Sequence, residues 1–170
     1  AKLGDIPGAF TALQDLLTDR TRVLGPDHPD TLNTRHNVAY WQAESGDISG
    51  GLTALQDLLT DRTRVLGPDH PKTLNTRASI AHWQAKSGDI PGALTALQDL
   101  LTDQTRALGP DHPNTLTTRA NIAHWQTESG DIPGLATWQE LLDDYVRVLG
   151  PDHTKTQTVR QAMTHWLGDS

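Results

Sequence analysis

The chain has 170 residues, of which 35% are hydrophobic and 5% aromatic, and its formal net charge is −7. So small an apolar fraction argues against one large spherical core and suits an elongated stack whose units each bury one stripe. The acidic balance gives no attraction to phosphate backbones, so we expect no nucleic-acid partner. The chain has no cysteine, which excludes disulfides and thiolate chemistry. No apolar run reaches the ~20 residues that a bilayer-spanning helix needs and no signal peptide is visible, so we expect a cytoplasmic protein without a membrane partner.

Two short motifs recur along the chain with a period of 42 residues. The run Gly-Pro-Asp-His begins at Gly25, Gly67, Gly109 and Gly150, and the last copy comes one residue early. The run Gly-Asp-Ile has the same period and begins at positions 4, 46, 88 and 130. Comparison of the copies places the missing residue in the first turn after Gly134. Self-similarity at a fixed period of this length is the signature of a repeat array.

The two motifs divide each period into two segments of helical length, which we call helix A and helix B. In the first full period, helix A is predicted from Pro29 to Ser45 and helix B from Ser49 to Leu66. The chain starts with a helix B, so eight helices are predicted in the order B-A-B-A-B-A-B-A. Each helix carries an apolar stripe that it cannot bury alone, so neighbouring units must stack. The stripes are Leu32, Val38, Ala39 and Trp41 on helix A, and Leu52, Leu55, Leu58, Leu59, Val65 and Leu66 on helix B.

The predicted organisation is one repeat array over residues 1–170. Its units are 1–24, a half unit with helix B alone, then 25–66, 67–108 and 109–149, and finally 150–170, a half unit with helix A alone. The array starts partway through a unit and the chain has no initiator methionine. We therefore expect a fragment of a larger protein.

The loops between the helices contain residues suited to ending and starting a helix. Gly46 tolerates the positive φ that ends helix A, and Asp47 is a good N-cap for the next helix B. Pro91 suits a first helical turn. Asp27 is the predicted N-cap of helix A, with His28 packed over the turn.

The Asp-His pair at 27–28 recurs four times, which raises the alternative of a metal site. A zinc ion needs about four ligands, each within ~2 Å of one point. One pair per unit places these ligands on successive rungs of a stack, and packed helices are about 8–10 Å apart. We therefore predict a structural loop, with no metal and no cofactor.

Three side chains recur in every unit, which indicates a role in the architecture. An arginine on helix A and an aspartate on helix B predict a repeated ion pair between neighbouring helices. A tryptophan on helix A is predicted to be core between units rather than a stacking platform for bases. The residues are Arg35, Arg77, Arg119 and Arg160; Asp19, Asp61, Asp103 and Asp144; and Trp41, Trp83, Trp125 and Trp166.

The segment Thr31-Leu32-x-x-Arg35-x-Asn37-Val38-Ala39, with Gly-Asp after it and Leu-Gly-Pro-Asp-His-Pro before it, resembles tetratricopeptide-like repeats. It is similar to the 42-residue repeats of kinesin light chains, and still more to the repeat arrays of actinobacterial signalling ATPases of the STAND type. The resemblance implies an all-α, right-handed superhelical solenoid of antiparallel helix pairs. It also implies a bacterial signalling context.

In this family helix A lines a concave surface that binds peptides or partner proteins. Asn side chains on helix A of the kinesin light chain type hold an extended peptide by its backbone. The resemblance transfers that role to Asn37 and Asn121, which we expect to be exposed. The same position is Ser79 in the second unit and Ala162 in the last.

Comparison among the units also selects polar positions on one side of helix A, which we call the polar strip. One interpretation is the lining of a binding groove, and the other is a solvated helix face that binds nothing. We favour the groove, because Asn and Thr are mediocre helix formers to place on an idle surface. The strip comprises Asn33, Asn37, Tyr40 and Glu44, then Asn75, Ser79, His82 and Lys86, then Thr117, Asn121, His124 and Glu128.

The sequence thus predicts a non-enzymatic scaffold that recognises a protein or peptide. Motifs for a serine nucleophile or a phosphate loop are absent from it. The alternative is a structural module that associates end to end. Its support is a set of apolar residues on the first helix B, which has no helix A of its own, and a more polar final helix A. The apolar set is Phe10, Leu13, Leu16 and Leu17, and the polar set is Gln157, Gln161 and Thr164.

Overall fold

The computed structural model describes the backbone of residues 6–130 and 135–168, and the side chains of residues 10–130 and 137–165. These residues form eight α-helices and no strand, which confirms the predicted all-α repeat. The predicted ends of the first full pair agree with the structure to within one residue. The missing residue after Gly134 lies outside the described residues. The helices are α1 (Ile6–Leu24), α2 (Pro29–Glu44), α3 (Ile48–Leu66), α4 (Pro71–Lys86), α5 (Ile90–Leu108), α6 (Pro113–Glu128), α7 (Leu135–Leu149) and α8 (Thr154–Gly168).

The chain forms two compact units, residues 1–87 and residues 88–170. In the first unit each helix packs on the next from α1 to α4, and α2 also contacts α4. In the second unit α5 packs on α6, α6 on α7, and α7 on α8. The odd-numbered helices are helix B and the even-numbered helices are helix A, in the predicted order.

Each helix A begins with a histidine N-cap, which corrects the prediction that Asp27 caps α2. His28 has extended backbone angles, and its Nδ1 accepts a hydrogen bond from the backbone N–H of Asp30 at 3.2 Å. Asp27 instead accepts two hydrogen bonds from Arg64, at 2.9 and 2.6 Å. The cap needs an acceptor directly before the first turn, and Asp27 lies one residue too early to supply it. The equivalent caps are His70, His112 and His153.

The predicted starts of helix B and end of helix A are confirmed. Asp47 accepts a hydrogen bond from the backbone N–H of Gly50 at 2.9 Å, and Asp89 does the same for α5. Gly46 ends α2 with a φ of 109°, and Pro91 lies in the first turn of α5. These loops therefore set the chain direction through local chemistry alone.

The core of the first unit lies where α2, α3 and α4 meet. Ala39 and Ala43 pack there with Leu55, Ile80 and Trp83. Small residues on α2 let the indole of Trp83 lie close to that helix. The core of the second unit consists of Leu116, Ala123, Trp138, Leu141, Leu142, Tyr145 and Val159.

Two of the four repeated tryptophans are core residues as predicted, and one is not. Trp83 and Trp125 are buried, but Trp41 is 43% exposed. Trp83 is covered by α2, a helix A that precedes it, and α2 is itself the first helix A of the chain. Trp41 therefore lacks the equivalent cover. Trp166 lies outside the described side chains, and Val65, predicted in the stripe of helix B, is 37% exposed.

Replacing Trp83 by alanine should lower the free energy of unfolding by about 3–5 kcal/mol, because the buried indole leaves a cavity. The matched change Trp41→Ala should cost less than about 1 kcal/mol, since that side chain is largely in water. Urea titration followed by circular dichroism measures both values. Equal losses for the two variants would contradict the assignment of Trp83 to the core.

Candidate functional site

The structure exposes part of the polar strip and uses the rest for packing. Exposed strip residues in the first unit are Asn37, Glu44, Asn75 and Lys86, and Glu128 is exposed in the second. Asn121 was expected to be exposed but is half-buried. The other half-buried members are Asn33, Tyr40, Ser79, His82, Thr117 and His124.

Beneath the strip in the first unit lies Arg62 of α3, which is 1% exposed. Its Nη1 donates to the carbonyl oxygen of Lys72 at 2.9 Å and to Oγ1 of Thr76 at 2.7 Å, both on α4. Its Nη2 donates to the carbonyl oxygen of Leu32 at 3.1 Å and to Oδ1 of Asn33 at 3.0 Å, both on α2. One guanidinium thereby links two A helices through four uncharged acceptors. Asn33 is thus held in place by a buried donor.

His36 lies beside this guanidinium, on the same side of α2 as the strip. Its Nδ1 is 3.5 Å from Nη1 of Arg62, and its Nε2 is 3.5 Å from Oγ of Ser79 on α4. Burial, together with the cations of Arg62 and Lys72, lowers the pKa of His36 to about 4. The imidazole is therefore neutral at physiological pH.

Sequence analysis missed both Arg62 and His36, although the repeat contained a signal for them. The position of His36 holds Ala78 and Ala120 in the next two units. A polar residue where other units have alanine marks a contact particular to one unit. The position of Arg62 also varies between units, with Arg20, Gln104 and Tyr145 as its equivalents.

Tyr145 fills the same role in the second unit with different chemistry. It is 2% exposed, and its hydroxyl lies in hydrogen-bonding contact with Thr117, the strip residue equivalent to Asn33. Burial raises the pKa of Tyr145, and the contact with Thr117 opposes that rise. Lys155 of α8 also donates to Oγ1 of Thr117, at 3.0 Å. In both units, then, helix B supports the first strip position from below.

The predicted ion pair between neighbouring helices is present in both units. Arg35 of α2 contacts Asp61 of α3 at 2.7 Å, and Arg119 of α6 contacts Asp144 of α7 at the same distance. Hydrogen bonds from Arg35, and then from Arg64, hold the pKa of Asp61 below its usual range. The pairs join each helix A to the helix B that follows it, so they are architectural.

Comparison with known proteins assigns this architecture to a family. The sequence profile of the tetratricopeptide repeat matches residues 1–30, 31–72 and 73–114. The chain belongs to the tetratricopeptide repeat family. Arrays of such repeats typically serve as scaffolds for protein–protein interaction, and no curated protein sequence matches the chain.

Solved structures with the same fold include two of a Podosopora anserina protein assigned as a kinesin light chain with nearly identical TPR-like repeats. The first, of a form with a single substitution, has a TM-score of 0.72 and 18% identity, and the match covers 98% of this chain and 80% of that one. The second has a TM-score of 0.71 and 18% identity, with coverage of 98% and 81%. BtubC (BKLC) from P. vanneervenii has a TM-score of 0.70 and 15% identity, with coverage of 99% and 68%. At these identities the similarity establishes a shared fold.

Two other kinds of site were sought in the described part of the tetratricopeptide array. No three His, Cys, Asp or Glu side chains there lie close enough together to hold a metal ion. None of the helices described is long and apolar enough to cross a membrane. The four loop histidines are N-caps, and the loop carboxylates of Asp27 and Asp111 each bind an arginine of the following helix B.

Replacing Arg62 by methionine should lower the free energy of unfolding by about 2 kcal/mol, because buried acceptors on α2 and α4 lose their donor. Arg20 occupies the same position on α1, is half-buried, and bonds to Asp30 and Thr34 alone among the described residues. Arg20→Met should therefore cost less than about 1 kcal/mol. Chemical denaturation of both variants gives the comparison, and a smaller loss for Arg62→Met than for Arg20→Met would refute the bridging role.

Acidification should destabilise the array through His36. The folded pKa of about 4 lies below the ordinary value of 6.5, so the unfolded chain takes up the proton first. Stability is therefore lost as the pH falls through 6.5, and the loss levels off near pH 4 at about 3 kcal/mol.

The variant His36→Ala isolates this effect, because it installs the residue that the next two units carry. Urea titrations of both proteins at pH 7.5, 6 and 5 should show a steeper loss for the wild type. Parallel pH profiles would show that His36 does not titrate abnormally.

Proposed function

We propose that the array is a non-enzymatic scaffold whose polar strip binds an extended segment of a partner protein. The observation that supports this most is the contrast within the first unit. Asn37 and Asn75 are exposed amides, whereas Asn33 and Ser79 on the same helices are fixed by contacts with Arg62 and His36. A fixed base with free amides above it suits recognition, because little side-chain freedom is lost when a partner binds.

The chemistry of the exposed residues matches a polypeptide backbone. An Asn amide both donates and accepts, so it can pair with the N–H and the C=O of an extended chain whatever its sequence. Glu44 and Lys86 are exposed at equivalent positions of α2 and α4 and have opposite charges. We expect them to select charged residues along the bound segment.

A packed aromatic contact holds the two A helices of the first unit in register. The rings of Tyr40 and Trp83 meet edge to face with centroids 5.3 Å apart, and Trp83 is buried. Tyr40 is therefore a half-buried wall of the surface rather than a mobile side chain. The affinity should be micromolar or weaker, because hydrogen bonds to the partner replace hydrogen bonds to water.

A signalling or regulatory assembly in a bacterial cytoplasm is the setting that we propose. The support is the resemblance of the repeat motif to the arms of STAND-type signalling ATPases. In such a setting the array would supply recognition and another part of the assembly would supply catalysis.

The test is selection from a displayed peptide library, followed by calorimetry with the selected peptides. The variant Asn37→Ala/Asn75→Ala should weaken their binding at least about tenfold, a loss of about 1.4 kcal/mol. The matched control Gln14→Ala/Gln56→Ala removes two exposed amides from helices α1 and α3 and should leave binding unchanged. Peptides that bind the strip variant as well as the wild type would refute the proposal.

A further inference from the structure

We propose that the chain associates head to tail, with α8 of one copy packing against α1 and α2 of the next. The contact would reproduce between two copies the packing that α2 makes with α3 and α4 inside the first unit. It goes beyond the proposed peptide binding and does not depend on it. Its basis is the internal register of the repeat, which gives every residue of one contact an equivalent in the other.

The apolar half of the contact is an exposed patch on α1 and α2. Leu16 and Trp41 are 41% and 43% exposed, whereas their equivalents one unit later, Leu58 and Trp83, are 0% and 4% exposed. Inside the chain α2 helps to cover these later residues, with Ala39, Ala43 and Tyr40 in the same cluster. The patch on α1 and α2 therefore matches the shape of an A helix.

Helix α8 is the A helix whose corresponding side is open. Thr158, Gln161, Thr164 and His165 are exposed. They occupy the positions of Asn33, His36, Ala39 and Tyr40, the side of α2 that contacts α4 or lies over its core. A threonine at the position of Ala39 keeps this side small enough for an indole to approach.

The repeated ion pair supplies the charge complementarity. In the register of Arg35 with Asp61, the partner of Asp19 would be Arg160. Within the described part of a single copy, Asp19 contacts Arg22 alone, at the surface, and Arg160 hydrogen-bonds Gln157 of its own helix. The two halves of one architectural ion pair thus lie on α1 and on α8.

Two further polar groups fit the same register. Arg20 Nη1 makes the bonds that Arg62 Nη1 makes, but its Nη2 has no acceptor among the described residues. The acceptors of Arg62 Nη2 are Leu32 O and Asn33 Oδ1, and their equivalents are the carbonyl of Gln157 and Oγ1 of Thr158. By the same register, Arg22 would bind the loop carboxylate of Asp152, as Arg64 binds Asp27. The acceptors and anions that α1 lacks are therefore carried by α8 and the loop before it.

A contact between different faces of two copies can propagate from copy to copy. Analytical ultracentrifugation of the whole chain from about 1 μM to about 1 mM should show a mass that rises with concentration. The association should weaken with added salt, because part of it is electrostatic. A single monomeric species over the whole range would overturn the proposal.

Charge exchange tests the register itself. Asp19→Arg and Arg160→Asp should each reduce self-association at least tenfold, because each variant opposes like charges within its own contact. An equimolar mixture of the two should recover association, since every contact in the mixture can again join an arginine to an aspartate. Circular dichroism should show both variants folded, as neither side chain is buried. Variants that associate like the wild type, or a mixture that stays dispersed, would overturn the assignment.

The apolar patch has its own matched pair of variants. Leu16→Glu should abolish association, whereas Gln14→Glu adds the same charge to an exposed residue on the same helix, outside the patch, and should leave it unchanged. Equal effects would mean that net charge rather than the patch governs association. The peptide-binding variant Asn37→Ala/Asn75→Ala should associate normally, so a failure of this proposal is distinguishable from a failure of the proposed peptide binding.

Discussion

The first unit depends on a buried guanidinium that hydrogen-bonds two A helices at once. Arg62 reaches α2 with one terminal nitrogen and α4 with the other, and all four acceptors are uncharged. A cation withdrawn from water needs this many hydrogen bonds to offset its desolvation. Burial lowers the pKa of Arg62 to about 10, so it remains charged at neutral pH. Because the same group holds Asn33, the stability of the unit and the order of its polar strip have one origin.

Repetition places each helix A between two B helices and gives every contact a direction. Arg35 points to the helix B that follows, and Trp83 lies under the helix A that precedes it. Small residues make these approaches possible. A Cβ on Gly51 of α3 would lie 2.6 Å from the Cβ of Ala43 and 2.7 Å from the carbonyl oxygen of Ala39, so glycine is required for this spacing. A directional contact of this kind leaves complementary halves at the two ends of any array.

Much of the fold could be predicted because the repeat compares the sequence with itself. The period, the helix order, the Asp47 cap and the Arg35–Asp61 pair all follow from residues that recur in equivalent places. The prediction was wrong where local chemistry allows two solutions, as at Asp27 and His28. Either residue type could cap a helix, and the structure chose the one directly before the first turn, which freed the carboxylate for Arg64.

The candidate site was predicted less completely than the fold. The sequence by itself determined which helix faces are apolar, where each helix starts and stops, and which positions form the polar strip, since these depend on spacing along one helix. Tertiary structure alone decided that Trp41 is exposed while Trp83 is buried, and that Asn121 is half-buried while Asn37 is exposed. It also brought His36 beside Arg62, although 26 residues separate them in the chain. Burial and pKa depend on which helix lies across a side chain, and equivalent residues of a repeat have different neighbours at its ends and in its middle.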